Sequence, residues 1–269
     1  MKFAFQEGLF PYESEQILYL KLREWGFDAV EVWGEKLHER MDRVAAASQS
    51  ADLPVCGICP GGKGIRGSML SDDPELRILA RKDILTLLRC AAELGGAGLN
   101  LVPEFGKSKF MALYPDLMDF ENRKMRFLDE LAPLAAEAEK LGVCILLEPL
   151  NRYESFFLIT IDQAASLCMT LGSPAVKILA DLFHMNIEDD DPAACIERNI
   201  RYIPYIHLAD SNRRLPGHGH LDFTPVFQVL AKHDFNGAVA MECGIPGDPS
   251  QDVPAALVHI KNSAAQNKY

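Results

Sequence analysis

The stretch GVCILLEPLNRYE, residues 142–154, holds a strand candidate, Val143–Leu147, that ends on a carboxylate at Glu148. Gly142 separates it from a helical pattern closing at Leu141, as a left-handed residue does where a helix stops. The arrangement recurs in the next three strand candidates. VKILA, residues 176–180, runs into Asp181; Tyr205–Leu208 carries His207; AVAM, residues 238–241, runs into Glu242. Four consecutive strands each deliver one side chain able to bind a metal, all at the same end.

Upstream lie four more short apolar segments: Phe3–Phe5, Ala29–Val32, Val55–Ile58 and Gly98–Val102. Patterns of helical period lie between the strands. Ser14–Trp25 carries Ile17, Leu18, Leu22 and Trp25; Pro74–Leu94 carries Ile78, Ile84, Leu87 and Leu88; Asn122–Leu141 carries Met125, Leu128, Leu131 and Leu134. Start signals accompany them. Asp73-Pro74 and Asp191-Pro192 place proline early in a helix, and Thr160 with Gln163 resembles a capping box. Strand starts are spaced by roughly 25 to 45 residues, room for one crossover helix each. Eight such units predict an α/β chain folded as a single (β/α)8 TIM barrel over residues 1–269, close to the roughly 250 residues this architecture takes. No G-x-G-x-x-G follows the first strand, and GGKG at 61–64 lacks the spacing of a phosphate loop, which disfavours an open nucleotide-binding sheet.

The formal net charge of −11 argues against a nucleic-acid partner, which needs basic surface. No apolar run approaches the roughly 20 residues of a membrane span, and the N-terminal MKFAFQEGLF does not read as a signal peptide. Seven scattered cysteines suit reduced thiols in a cytoplasmic protein. Cys56 and Cys59 form one C-x-x-C without a second pair, and are read as two unrelated thiols near a strand end.

In a barrel of this kind the working residues stand at the carboxyl ends of the strands. Strands about 4.8 Å apart on a closed ring let Glu148, Asp181, His207 and Glu242 converge on one point. Three carboxylates and an imidazole are costly to bury unpaired, and a divalent cation compensates them. Oxygen-rich ligation favours Mn²⁺, Co²⁺ or Mg²⁺ over a thiolate-type zinc site. Glu154, His184 and Arg213 follow these strand ends by a few residues and add groups able to hold hydroxyls and developing oxyanion charge. Taken singly, each of these residues is more often a loop carboxylate, a structural histidine or a surface charge; the coincidence at four successive strands is what favours a site.

The segments LLEPLNRYE (146–154), LADLFHMNIEDD (179–190), IHLADSNRRLPGHGHLDF (206–223) and MEC (241–243) resemble the ketose 3-epimerase family, typified by D-tagatose and D-psicose 3-epimerases, within the xylose isomerase-like barrels. The resemblance is carried by residues 140 to 245; the first half is similar only as scaffold. It implies Glu148, Asp181, His207 and Glu242 as the metal ligands, for one ion with Mn²⁺ expected first; Glu148 and Glu242, on strands five and eight, approach that ion from different sides and are expected to act as paired catalytic acid and base. It implies Glu154, His184 and Arg213 as contacts to a small sugar, and an activity that inverts C3 of a free ketose through an enediolate. Related barrels often pair, so a homo-oligomer, dimer or tetramer, is expected. Residues around Phe10, Trp33 and Lys63–Arg66 are where sugar choice is expected to lie.

Rival readings share the barrel. Hydroxypyruvate isomerases carry the same E-P-x-N motif, and inosose-processing enzymes are a further alternative. Endonuclease IV needs additional histidines at earlier strands, and none stands at the ends of strands two and three. Lys63 and Arg66 in a Gly-rich loop leave a phosphorylated ketose open. A metal-binding scaffold without catalysis is the alternative from another class.

Overall fold

Side chains alternate faces along a strand, so each strand of a closed barrel points every second residue inward. In the structure, a computed structural model that describes residues 1–105 and 117–265, eight parallel strands close into one ring, β1 to β8 in chain order with β8 pairing back onto β1. They are β1 (Lys2–Gln6), β2 (Ala29–Trp33), β3 (Val55–Cys59), β4 (Gly98–Leu101), β5 (Cys144–Leu147), β6 (Val176–Asp181), β7 (Tyr205–Leu208) and β8 (Ala238–Met241). The (β/α)8 reading holds, and strand bounds differ from it by one residue at most at either end.

Around the ring run α1 (Glu15–Glu24), α2 (Met41–Ala51), α3 (Gly61–Gly64), α4 (Pro74–Glu93), α5 (Leu117–Leu141), α6 (Ile161–Leu171), α7 (Leu182–Glu188), α8 (Pro192–Asn199), α9 (Thr224–Lys232) and α10 (Pro249–Ala265). The caps follow the sequence. Asp73 accepts the Glu75 N–H at 2.9 Å, Thr160 and Gln163 form a reciprocal box, and Gly142 takes φ +71° after α5. Helix α2 had no sequence signal because its MDRVAAASQSA face is alanine-rich; Val44, Ala47 and Ala51 are what it buries. No described helix is long and apolar enough to cross a membrane.

The large core lies between strands and helices, and a smaller one fills the barrel. That inner cluster contains Ala4, Ala29, Leu146, Leu179, Tyr205 and Ala240. Tyr205, fully buried, is the bulky member, and alanines on three strands leave it room. Gly57 completes the fit, since a Cβ there would lie 3.1 Å from the Tyr205 ring. Two residues further along the same strands, the inward positions become Gln6, Glu31, Glu148, Asp181, His207 and Glu242. The apolar plug is therefore the floor of a polar layer.

At the end of α7, burial pushes the Asp189 carboxyl up to about 6; its Oδ1 accepts the Cys195 thiol, and its Oδ2 is buried without a partner among the described residues. The folded state then binds more protons than the unfolded chain between about pH 4 and pH 6, so this group lowers stability as pH rises through that window. Asp189→Asn should remove that slope and leave the variant more stable than the parent by about 1–2 kcal/mol at pH 8, with little difference at pH 4. Denaturant unfolding at the two pH values reads the difference; equal stabilities at pH 8 would contradict it.

Candidate metal centre and active site

Glu148 and Glu242 stand one residue past their strands yet remain in the ladder, their N–H groups bonded to Leu101 O at 3.0 Å and Leu208 O at 3.1 Å. Asp181 is opposite His207 in the β6–β7 register. One ligand atom from each of Glu148, Asp181, His207 and Glu242 lies within 4.8 Å of the others. Glu148 is 3 % exposed, Asp181 1 % and His207 0 %. His207 Nδ1 is 3.3 Å from both Glu148 Oε1 and Glu242 Oε2.

Asp181 has divided duties. Its Oδ1 caps α7, accepting the N–H of Phe183 at 2.7 Å and of His184 at 3.3 Å, which leaves Oδ2 facing the cluster. The short helix also turns His184 inward. Asn151 donates to His184 Nδ1 from its backbone N–H at 3.1 Å, which makes Nδ1 an acceptor and places the ring proton on Nε2. The Asn151 amide donates to Glu154 Oε1 at 2.8 Å, so one residue locates two of the three predicted substrate contacts.

Arg213 reaches back over the cluster. Its guanidinium donates to Asp181 Oδ2 at 2.6 Å and to Glu242 Oε2, and lies 4.8 Å over the Phe183 ring. Its backbone has φ +61°, a left-handed conformation held by N–H to Asp210 O and by its own carbonyl accepting from Gly244. Buried Asp210 organises the loop, accepting the backbone N–H groups of Ser211, Gly217 and Leu221 at 2.7, 2.9 and 3.1 Å.

The electrostatics follow from burial and from neighbours. Burial, with the Glu242 and Asp181 carboxylates, pushes Glu148 up against the pull of His207. Burial opposes ionisation of Glu242 too, but His207 and Arg213 outweigh it and hold that carboxyl far below its ordinary range. Asp181 is likewise lowered, burial being overcome first by Arg213. Burial disfavours a charged His207, yet Glu31 and Glu242 hold it well above the usual imidazole range.

Three polar neighbours were missed by the sequence reading. Glu31 of β2, 1 % exposed, faces His207 Nε2 at 3.0 Å; Gln6 of β1 donates to Glu31 and to Glu242; Asn100 of β4 donates to Glu148 Oε2 at 2.7 Å. The sequence shows each as a polar residue in a strand; the phase that puts it inward is defined only once the barrel has closed. Four carboxylates meet one guanidinium and one imidazole here, an excess of negative charge and oxygen donors that fits a divalent cation.

A cavity of about 500 Å³ opens above the cluster. Glu148, Glu154, His184, Arg213 and Glu242 line one side; Trp33, Gly61, Ser68, Asn100 and Glu104 line the other. The buried Asn100 Oδ1 has no partner among the described residues. Of the expected specificity positions, Trp33 and, within the 63–66 stretch, Ile65 line the cavity. Phe10 instead packs on Phe5 and Trp25, and Arg66 is held by Asp83 at 2.6 Å; neither it nor Lys63 lines the cavity. Cys56 and Cys59 are both free, with separate partners: Cys56 lies against Tyr205, and Cys59 faces Glu242. Burial, reinforced by Glu242 and Glu31, pushes the Cys59 thiol well above its usual range.

The profile of the xylose isomerase-like TIM barrel matches residues 20–263. A 3-dehydro-D-guloside 4-epimerase of Escherichia coli (strain K12) is 31 % identical over 265 residues, covering 97 % of this chain and 99 % of the relative. A D-psicose 3-epimerase of Ruminiclostridium cellulolyticum is 27 % identical over 239 residues, 86 % of this chain and 79 % of the relative. Among solved structures, an apo 3-keto-D-glucoside 4-epimerase from E. coli superposes with a TM-score of 0.89 at 29 % identity, covering 97 % of this chain and 99 % of that one. The fold, the buried cluster at the carboxyl rim and these full-length relatives place the chain in the xylose isomerase-like TIM-barrel family, as an enzyme of its ketose 3-epimerase-like group of sugar epimerases.

Proposed function

We propose that this chain inverts the hydroxyl-bearing carbon beside a ketone in a small sugar, with one divalent ion held by Glu148, Asp181, His207 and Glu242. The observation that carries the reading is the convergence of those four ligand atoms on the floor of a cavity whose walls carry Glu154, His184 and Arg213. The first assignment is C3 of a free ketose, with Mn²⁺ preferred over Co²⁺ and Mg²⁺. The reading takes residues 1–269 as one barrel domain, and the free thiols suit a cytoplasmic setting.

When bound, such an ion supplies the Lewis acidity that makes a proton beside a ketone removable. The chain's residues do the rest. Glu148 and Glu242 approach from β5 and β8, so they address the reacting carbon from different sides. One removes the proton from one face, and the other returns a proton to the opposite face. Arg213 and the His184 Nε2–H are donors for the oxygen that gains charge. Glu154 holds an adjacent hydroxyl.

A second reading, inversion at C4 of a 3-keto-glycoside, is favoured by the near-complete match to the 4-epimerase relative. The chemistry is the same, since that carbon also flanks the ketone. Assaying free ketoses beside 3-keto-glycosides with Mn²⁺ separates the two readings. Turnover of neither class would reject both.

Chelation followed by dialysis should abolish turnover, and Mn²⁺ should restore it at about one ion per chain. Full activity in the chelated, metal-free protein would reject the metal-dependent reading.

Glu148→Gln and Glu242→Gln should each lower net epimerisation by about 10²–10⁴-fold. Each should retain exchange of the reacting hydrogen with deuterated solvent from only one epimer. Interconversion at near the parent rate in either variant would sink the two-base scheme.

Arg213→Ala should lower kcat by about 10²–10³-fold. Its metal content should stay near normal, because the guanidinium competes for Asp181 and Glu242 rather than supporting the ion. Unchanged kinetics on the true substrate would remove Arg213 from the reaction.

A further inference from the structure

A carboxylate in the middle of an apolar strand, AVEVW at 29–33, needs a reason to be there. Glu31 points into the barrel and is 1 % exposed, so its charge is far from water. Its two oxygens lie 3.0 and 3.1 Å from His207 Nε2. The opposite ring nitrogen, Nδ1, looks at Glu148, Glu242 and Asp181 at 3.3, 3.3 and 3.9 Å. The imidazole is thus threaded between two sets of acceptors, and only the Nδ1 side belongs to the cluster that can hold an ion.

Gln6 extends the arrangement. Its Nε2 lies 2.8 Å from Glu31 Oε2 and 2.9 Å from Glu242 Oε1. Both partners are carboxylate oxygens, so the amide must present both of its hydrogens here, and its orientation is decided by the network. Gln6 therefore ties Glu31 to Glu242, while Glu31 faces the far side of His207.

We propose that Glu31 is a positioning residue: it accepts the His207 Nε2–H, fixes the tautomer that leaves Nδ1 as a lone-pair ligand, and with Gln6 locks His207 and Glu242 in register for the ion. This rests on the ligand set proposed above. An imidazole can offer Nδ1 to a cation only when the ring proton sits on Nε2, and a buried Nε2–H needs an acceptor. Neighbours alone could not supply that choice. Tyr205 lies edge-on to the ring at 5.6 Å and offers no acceptor to Nε2 comparable to a carboxylate. Replacing Glu31 with Gln keeps the shape but halves the acceptors. An amide oxygen could still accept from Gln6 and His207 together, as Oε2 does at 2.8 and 3.1 Å, but it is a weaker acceptor than a carboxylate, and the NH2 that takes the place of Oε1, 3.0 Å from Nε2, would favour the other tautomer, whose Nδ1–H cannot bind an ion.

Mn²⁺ binding measured directly, by the electron paramagnetic resonance of the free ion, reads this without turnover. Glu31→Gln should weaken Mn²⁺ binding by about 10–100-fold, the range expected for losing such a partner. Thermal unfolding of both metal-free proteins checks that the variant is folded. If the parent chain binds Mn²⁺ and Glu31→Gln binds it equally tightly, the positioning role is wrong while the metal site stands. If the parent binds no Mn²⁺, the ligand set itself fails and the positioning role falls with it. Should Glu31→Gln not fold, ¹⁵N-histidine spectra of the parent with diamagnetic Mg²⁺ decide alone. The imidazole that responds to Mg²⁺ should carry its proton on Nε2 and none on Nδ1; the reverse pattern overturns the proposal.

Discussion

Four carboxylates buried around one imidazole at the mouth of the barrel are the constraint from which the rest of this structure follows. Taking a carboxylate out of water costs several kcal/mol even after relaxation. Glu31, Glu148, Asp181 and Glu242 cannot all bear that without compensation at close range. The protein supplies it from every direction. Arg213 reaches Asp181 and Glu242, Asn100 and Gln6 donate amide hydrogens, and the α7 N-terminus faces Asp181 with two N–H groups. What remains is an excess of negative charge focused between Glu148, Asp181, His207 and Glu242. A centre of this kind can be completed by a cation, and folding has already oriented its donors.

The layer beneath makes that orientation rigid. The inward positions two residues earlier on the same strands are filled by Ala4, Ala29, Leu146, Leu179, Tyr205 and Ala240. Close packing transmits position, and a fully buried tyrosine wedged among small residues has little freedom. A strand that shifted by one residue would exchange this plug for outward-facing residues and scatter the polar layer. The precision of the site is thus set one layer below it. Arg213 is placed differently, from a loop, and the loop receives its rigidity from the carboxylate of Asp210 instead of a strand ladder.

Much of this was legible because the carboxyl-end rule converts strand order into spatial convergence. Glu148, Asp181 and Glu242 each end or follow a short apolar run, and His207 interrupts one, so locating the strands located the residues. Glu31, Gln6 and Asn100 escaped for a definable reason. They act on ligands from β1, β2 and β4, and nothing in the local composition says that a strand polar group faces inward instead of a neighbouring helix. Only the phase relative to Ala29 or Ala4 says so, and that phase becomes meaningful once the barrel has closed. The double duty of Asp181, capping α7 with one oxygen and facing the cluster with the other, was equally hidden, because the helix is too short to show a period. Phe10 and the Lys63–Arg66 loop looked like pocket residues by their position after strands; Ile65 does line the cavity, but packing on Phe5 and pairing with Asp83 direct Phe10 and Arg66 elsewhere.

On the proposed function, the two sides of the cavity also separate the chemistry from the choice of substrate. The side built from β5 to β8 carries the carboxylates, the imidazoles and the guanidinium, groups suited to act on any hydroxyl-bearing carbon beside a ketone. On the other side Asn100 donates to Glu148, while Trp33, Gly61, Ser68 and Glu104 have no described hydrogen bond to the four ligands and are placed to influence how a sugar lies. Relatives named for inversion at C3 of a free ketose and at C4 of a keto-glycoside are then no paradox. Moving the ketone by one carbon along the sugar leaves the reacting fragment unchanged, provided the rest of the molecule is accommodated by the opposite wall. The barrel's closed ring makes that division natural. On the proposed function, a substrate held by its reacting fragment against β5–β8 projects its remaining atoms across the mouth, toward the wall that Trp33, Gly61, Ser68 and Glu104 line.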